Sequence, residues 1–253
     1  IMASSRDLIS IFVALEMLRI LAACDLRSLG HNSSDYLHLL IEAKKLAFAD
    51  RDRYLADRSY MEVAGKDLLA DRRITALRAR IEQDRAACEI QSMPMETDTE
   101  YLAVADRHGN LVSYIESLFV SFGSGVVVED SGIVLQNRGN LFSLEPAHPN
   151  CIGPHKRCVH TLMPGMVFRG GKPFLALGLK GGHIQPQVQV QILANLIDFG
   201  MTVQEAIASP RFNHLSGLEV AFEPGISQGT LEGLAVKGHR IVSATPESFG
   251  GAH

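Results

Sequence analysis

Met93-Pro94-Met95-Glu96-Thr97-Asp98-Thr99-Glu100-Tyr101-Leu102-Ala103-Val104-Ala105-Asp106-Arg107-His108-Gly109-Asn110 is the stretch on which the reading of this chain turns. Before it the sequence is charged and helical in pattern. After Asp98 it changes to short β-branched and aromatic runs broken by glycine, so composition shifts at Thr99. Residues 1–98 read as a helical region ending in an exposed Ser-, Pro-, Met- and Thr-bearing linker from Ala86 to Asp98, and 99–253 as a strand-rich region. A linker of this kind is where a chain can be cut without dismantling its core.

A threonine at the head of a strand has a chemical use under one condition. If the Asp98–Thr99 bond is cut, Thr99 gains a free α-amine beside its own hydroxyl, and that amine can serve as general base for Oγ with no histidine. An α-amino group titrates at roughly 7.7–8, so a substantial fraction is neutral near physiological pH. The structural alternative is a β-branched residue that merely starts a strand.

Outward from Thr99, Tyr101–Ala105 and Leu111–Ile115 alternate as strands, and the Gly109-Asn110 pair marks a hairpin between them. Counting back from the turn puts Thr99 and Ser117 on neighbouring strands at one edge. Phe122-Gly123-Ser124-Gly125 is a glycine loop without the lysine of a P-loop, followed by expected strands at Val126–Val128 and Ile133–Gln136. Met166–Phe168 and Phe174–Leu177 form a second expected hairpin. Lys180-Gly181-Gly182-His183 then opens a helix that carries Pro186 in its first turn and ends at Gly200. Glycines between a strand and a helix N-terminus offer backbone N–H groups unobstructed by Cβ, an oxyanion-hole arrangement as well as a tight turn. Thr202 and Glu205 make a capping box, Leu218–Phe222 and Ile241–Ala244 read as strands, and Thr230–Lys237 as a helix between them.

Upstream, Ser4 and Ser5 can cap a helix over 6–23, and Asn32 to Ser34 start another to Ala56. In that second helix Leu37, Leu40, Ile41 and Leu46 face inward and Lys44, Lys45, Arg51 and Arg53 are expected in solvent. A third helix is expected over 67–85. The pattern as a whole is layered α/β of the α+β kind, with helices against a mostly antiparallel sheet.

Composition bounds the function. At 253 residues, 46% hydrophobic and 21% charged, the chain can bury a large core. A net charge of −4 with interspersed signs gives no nucleic-acid footprint, and no stretch is long and apolar enough to span a bilayer. Cys24, Cys88, Cys151 and Cys158 lack CxxC spacing, and His31, His38, His183 and His214 show no pairing at helical ligand intervals, so neither a metal nor a cofactor is expected. Ile1 to Ser5 lacks a signal-peptide layout and the closing glycine pair invites continuation, so the chain is expected to be a piece of a longer protein. The sequence leaves the location open, with cytoplasmic slightly favoured and any signal peptide upstream of Ile1.

Thr99 followed seven residues later by Asp106, then Gly109-Asn110, Ser-Gly-Ile-Val-Leu at 131–135, Lys156-Arg157, Gly181-Gly182 and Ala208-Ser209-Pro210-Arg211-Phe212 resembles the γ-glutamyltranspeptidase family of N-terminal-nucleophile hydrolases. The likeness runs over nearly the whole chain and is greatest to the branch with cephalosporin acylase-like and dicarboxylate amidohydrolase-like members. It implies an αββα sandwich. It also implies that 1–98 is the end of a large subunit, that 99–253 is most of a small one, and that the chain cleaves itself between Asp98 and Thr99. By the same resemblance Thr99 is the nucleophile, Ser117 stands where the family has a second threonine bonded to it, and Gly181 and Gly182 are the oxyanion pair. The implied partners are a small amide or γ-glutamyl substrate and the rest of the precursor, with a homo-oligomer of processed heterodimers as a further possibility.

The departures bear on the substrate. The family's asparagine two residues after the second threonine is here Phe119; its glutamine and acidic residue that clasp an α-ammonium are Arg138 and Leu141; its paired serines are His160-Thr161. Facing Arg138, an ammonium would be disfavoured by several kcal/mol. The resemblance so amended implies an acyl group with a carboxylate and no free α-amine, anchored by Arg138 with Asn140, His160 and Thr161 in support. The activity the resemblance implies is that of a threonine amide hydrolase or acyltransferase that hydrolyses or transfers a γ-glutamyl or related carboxylate-bearing acyl group; the alternatives are a dicarboxylate-monoamide or glutaryl-type cephalosporin acylase without transferase activity and, in another class, a catalytically inactive binding scaffold.

Overall fold

The computed structural model describes residues 9–88 and 98–252. Five helices come first: α1 (Ile9–Leu21), α2 (Leu26–Leu29), α3 (Ser34–Tyr54), α4 (Gly65–Leu68) and α5 (Asp71–Arg78). Strands β1 (Asp98–Ala105), β2 (Leu111–Phe119), β3 (Gly165–Arg169), β4 (Lys172–Leu177) and β5 (Leu179–Lys180) follow. Then come α6 (Gln185–Ile197), α7 (Val203–Ala208), β6 (Phe212–Ser216), β7 (Glu219–Phe222), α8 (Gln228–Val236), β8 (Arg240–Val242) and β9 (Gly251–Ala252). The mixture of helices and antiparallel strands expected from the sequence is present. Among the described residues β1–β2, β3–β4, β5–β9 and β6–β7 are antiparallel pairs, and β7–β8 is parallel. No helix among the described residues is long and apolar enough to cross a membrane.

Helix α3 is capped by Ser33, whose oxygen accepts the Tyr36 N–H, and it is buried on more than its expected apolar stripe. Lys44, Lys45 and Arg51 are 0%, 1% and 9% exposed, so the expectation that they are solvated is corrected, while Arg53 is exposed as expected. The reason is compensation within the interior: Lys45 pairs with Glu42 at 2.7 Å, Lys44 Nζ lies 2.7 Å from His214 Nδ1, and Phe48 underlies both the Lys44 ammonium and the Arg51 guanidinium. The core around α1 and α3 also takes Val190 and Ala194 of α6, Phe212 of β6, Val220 of β7 and Leu234 of α8. The helical region and the strand region thus share one interior.

Helix α6 is joined to β6 by side-chain amides. Gln191 Oε1 accepts the Phe212 N–H at 2.9 Å while its Nε2 donates to Phe212 O at 3.2 Å; Gln187 treats His214 the same way, at 2.9 and 3.2 Å. Four helical residues advance about 6 Å and two strand residues about 6.7 Å, so one glutamine per turn meets every second residue of β6.

Other differences are local. The expected helix over 67–85 is the pair α4 and α5, and α1 is shorter than 6–23, with the proposed caps Ser4 and Ser5 outside the described residues. The strands expected at 126–128 and 133–136 reduce to a single bridge, Val127 to Val134, flanked by Ser124 Oγ donating across to Leu135 O at 2.8 Å and Ser131 Oγ donating to Val128 O at 3.2 Å within its turn.

Candidate active site

The β1–β2 hairpin is closed by Asp106, whose carboxylate accepts the backbone N–H groups of His108 and Asn110 at 2.8 and 2.9 Å. From that turn the register runs Ala105 to Leu111 and Leu102 to Tyr114 up to Glu100 opposite Glu116. It then slips: Asp98 pairs with Phe119, leaving Ser117 and Leu118 opposite the single Thr99. Such a bulge re-aims side chains. Here Thr99 Oγ1 donates to Ser117 Oγ at 3.1 Å, with Thr99 only 2% exposed. The adjacency of Thr99 and Ser117 that the turn predicts is therefore present.

Ser117 Oγ also accepts the Phe119 N–H at 2.9 Å. Phe119 is fully buried at φ 83°, a left-handed conformation that a bulky side chain holds only when its surroundings insist. Those surroundings are Asn137, which accepts from Val120 N at 3.1 Å and donates to Leu118 O at 3.1 Å, and Arg138, whose guanidinium lies 5.1 Å from the Phe119 ring centre. Arg138 is 6% exposed. It donates to Thr161 Oγ1 at 3.2 Å and, over a long 3.5 Å, to Ser117 O. Burial holds its guanidinium below the usual value, and no carboxylate pairs with it among the described residues. The structure thus brings Thr99, Ser117, Arg138 and Thr161 together.

Asn140 and His160 are placed differently. Asn140 is exposed at the end of a short 3-10 turn, Arg138–Leu141. His160 lines a cavity of about 680 Å³ with Asp57, Arg58, Lys66 and Arg157, whereas Thr99 and Ser117 line one of about 610 Å³ with Glu100, Glu116, Leu135 and Gln136. The two linings share no residue.

Gly181 and Gly182 lie where β5 runs into α6, at φ 119° and 62°. A Cβ on Gly181 would sit 2.7 Å from Ile184 Cγ2 and 3.0 Å from Gly250 Cα, so the loop is fitted to glycine. Pro186 is in the first turn of α6 as expected, and no side chain caps that helix end. The strand leading to the loop packs on β1: a Cβ on Gly178 would lie 1.9 Å from Tyr101 Cδ2. Next to the glycine pair, His183 Nδ1 meets Arg51 Nη1 at 3.0 Å. Burial first, then the charges of Arg51 and Lys44, push His183 down to about 3, so it is a neutral imidazole that accepts from Arg51.

Sequence spacing missed two features. The Arg51–His183 contact joins positions 132 apart. His38 meets His239 at 2.8 Å, with Glu42 beside them, across 201 positions of sequence, so the absence of paired histidine intervals was a poor guide. The His38-to-Glu42 interval on one helix face was the signal available.

Residues 4–253 match the family model described as gamma-glutamyltranspeptidase. A glutathione hydrolase-like proenzyme of Bacillus subtilis (strain 168) is 40% identical over 91% of this chain and 44% of its own length. The acylase ACY 1 proenzyme of Pseudomonas sp. (strain SE83) is 34% identical over 93% and 42%. A crystal structure of cephalosporin acylase from Bacillus halodurans superposes at TM-score 0.86 with 39% identity, covering 95% of this chain and 44% of that one. The chain therefore spans under half the length of these relatives, and it belongs to the γ-glutamyltranspeptidase family of N-terminal-nucleophile hydrolases.

Proposed function

We propose that this chain, within its whole protein, is a threonine amide hydrolase or acyltransferase that removes an acyl group carrying a distal carboxylate. In maturation, Thr99 Oγ attacks the Asp98 carbonyl carbon, the acyl group shifts from nitrogen to oxygen, and water hydrolyses the ester. This frees the Thr99 amine and separates 1–98 from 99–253 as large-subunit and small-subunit parts. In turnover, Oγ attacks the substrate carbonyl while its proton passes to that amine. The tetrahedral oxyanion is held by the Gly181 and Gly182 N–H groups. Collapse expels the amine, which takes the proton back, and water or a second amine then accepts the acyl group. Ser117 holds Thr99 Oγ1 in line, a role supported by their 3.1 Å bond.

The observation that carries the substrate reading is Arg138, a buried guanidinium with no paired carboxylate among the described residues, joined to Thr99 through Ser117. An uncompensated buried cation is costly, and a substrate carboxylate would offset that cost with a charge-assisted bond. Thr161 supports it, and Asn140 and His160 would have to turn toward it. The same observation favours a desamino dicarboxylate acyl group, of the glutaryl type, over γ-glutamyl, whose ammonium would meet Arg138.

Mass measurement of the purified whole protein should find Thr99 as a free N-terminus, and Thr99→Ala should leave the bond intact. A wild-type protein that stays uncut and still turns over amides refutes the mechanism and an uncut, inactive one leaves a binding scaffold. Glutaryl-anilide should be hydrolysed faster than γ-glutamyl-anilide; the reverse order refutes the role of Arg138.

A further inference from the structure

His38, Glu42 and His239 each bring one ligand atom into a single buried spot, all within 4.8 Å of one another, and none of the three is more than 3% exposed. None has a part in the chemistry proposed for Thr99. His38 and Glu42 are one turn apart on the same face of α3, and His239 comes from the turn between α8 and β8.

His38 is already held as a metal ligand is held. His38 Nε2 lies 2.8 Å from the Glu82 carbonyl oxygen, so its proton is on Nε2 and the Nδ1 lone pair looks inward, to His239 Nε2 at 2.8 Å. A carbonyl on the outer nitrogen is the contact that fixes the tautomer of metal-bound imidazole. His239 Nδ1 has no hydrogen-bond partner among the described residues. We infer that His38, Glu42 and His239 form a binding site for a divalent ion of the zinc class. Two imidazoles and one carboxylate suit zinc, whereas magnesium and calcium prefer an all-oxygen set.

Two adjustments accompany binding. Ligand nitrogens on a tetrahedral ion with bonds of 2.0–2.1 Å stand about 3.3 Å apart, so the rings part by about half an ångström. The proton that His239 Nε2 donates to His38 moves to Nδ1, leaving both inner lone pairs for the ion and the proton count unchanged. Lys45 is the built-in competitor: its Nζ lies 2.7 Å from Glu42 Oε1 and 2.7 Å from Ala87 O. It keeps the carbonyl when the ion takes the carboxylate. Glu42 Oε2 accepts the Ala87 N–H at 3.2 Å, so the site also fixes the segment at 82–87. His38 and Glu42 precede Thr99 in sequence and His239 follows it, so a bound ion cross-links the two parts of the chain independently of any chemistry at Thr99.

The test is titration of chelator-treated full chain with Zn²⁺ and, separately, Co²⁺, followed by calorimetry and visible absorption. One equivalent should bind, Co²⁺ should give the intense d–d bands of a four-coordinate centre, and Zn²⁺ should raise the unfolding temperature. His239→Gln, checked by circular dichroism for retained fold, should lose roughly 100-fold in affinity and lose the thermal shift. Lys45→Met, which removes the competing ammonium, should bind Zn²⁺ more tightly, by roughly tenfold, and is the second variant that keeps the test sharp if His239→Gln misfolds. Wild-type protein that binds no ion, or binds it with the same affinity as both variants, overturns the assignment.

Discussion

The contact that seats β1 against the strand leading to Gly181 is the Tyr101 ring over Gly178, and Gly178→Ala tests it directly. The new methyl would lie 1.9, 2.1 and 2.3 Å from Tyr101 Cδ2, Cε2 and Cγ, less than the distance real Cβ atoms keep. The ring cannot simply swing aside, because its hydroxyl is bonded to Ser113 Oγ at 2.8 Å. Overpacking of this kind costs about 1–3 kcal/mol, and loss of the Tyr101–Ser113 bond adds about 1 kcal/mol. The total of about 2–4 kcal/mol corresponds to a fall of roughly 5–15 °C in unfolding temperature for a chain of this size. Scanning calorimetry reads it, and turnover by the whole protein should fall as well, since Thr99 lies two residues from Tyr101. Tyr101→Ala should restore much of the loss in the Gly178→Ala background, giving a coupling well above 0.5 kcal/mol in a double-mutant cycle. If Gly178→Ala alone unfolds within a degree of wild type, the packing of β1 on β5 is not as described.

Ser117→Ala should lower kcat about fivefold with KM little changed, the worth of one neutral hydrogen bond; an unchanged kcat removes Ser117 from the mechanism. Gly181→Ala, strained at φ 119° and crowded by Ile184 and Gly250, should cost about 10²–10³ in kcat, and full activity would mean that its N–H does not hold the oxyanion. Glu16 is buried, and burial first, then the neighbouring Asp50 carboxylate, push its acid up to about 9. Because the folded value is raised, stability is greatest below the ordinary value of 4.5 and is lost as pH rises toward 9, at on the order of 1 kcal/mol per pH unit. Glu16→Gln should flatten that loss in urea unfolding between pH 5 and pH 8, and equal slopes for the two proteins would refute it.

What the sequence reveals follows the range over which its signals act. The β1–β2 hairpin, the proline-opened α6 and the Thr202–Glu205 capping box are encoded within a few residues of one another, and all three are present. The juxtaposition of Thr99 and Ser117 was legible for the same reason, since a turn fixes register, although the bulge that aims the two oxygens was not. Lys44 looks like a solvent residue because its partner His214 is far away in sequence, and Lys45, although Glu42 lies one turn before it, has its second acceptor, Ala87 O, equally out of view. Strands β5 and β9, two residues each, are too short to carry an alternating pattern. His160 and Asn140 came from resemblance, and neighbours in sequence along an extended chain point to opposite sides, which is why Thr161 reaches Arg138 while His160 lines another cavity.

The amides of Gln187 and Gln191 have a consequence for the outer flank of β6. A strand with an open flank is a template on which foreign chains can grow, and here a helix supplies counterfeit peptide groups that fill it. Leucine at those two positions would fill similar space but leave buried backbone groups of Phe212 and His214 without these partners. The glutamines thus seal a backbone edge that α6 shuts away from water, a service that a hydrophobic tally of α6 would never disclose.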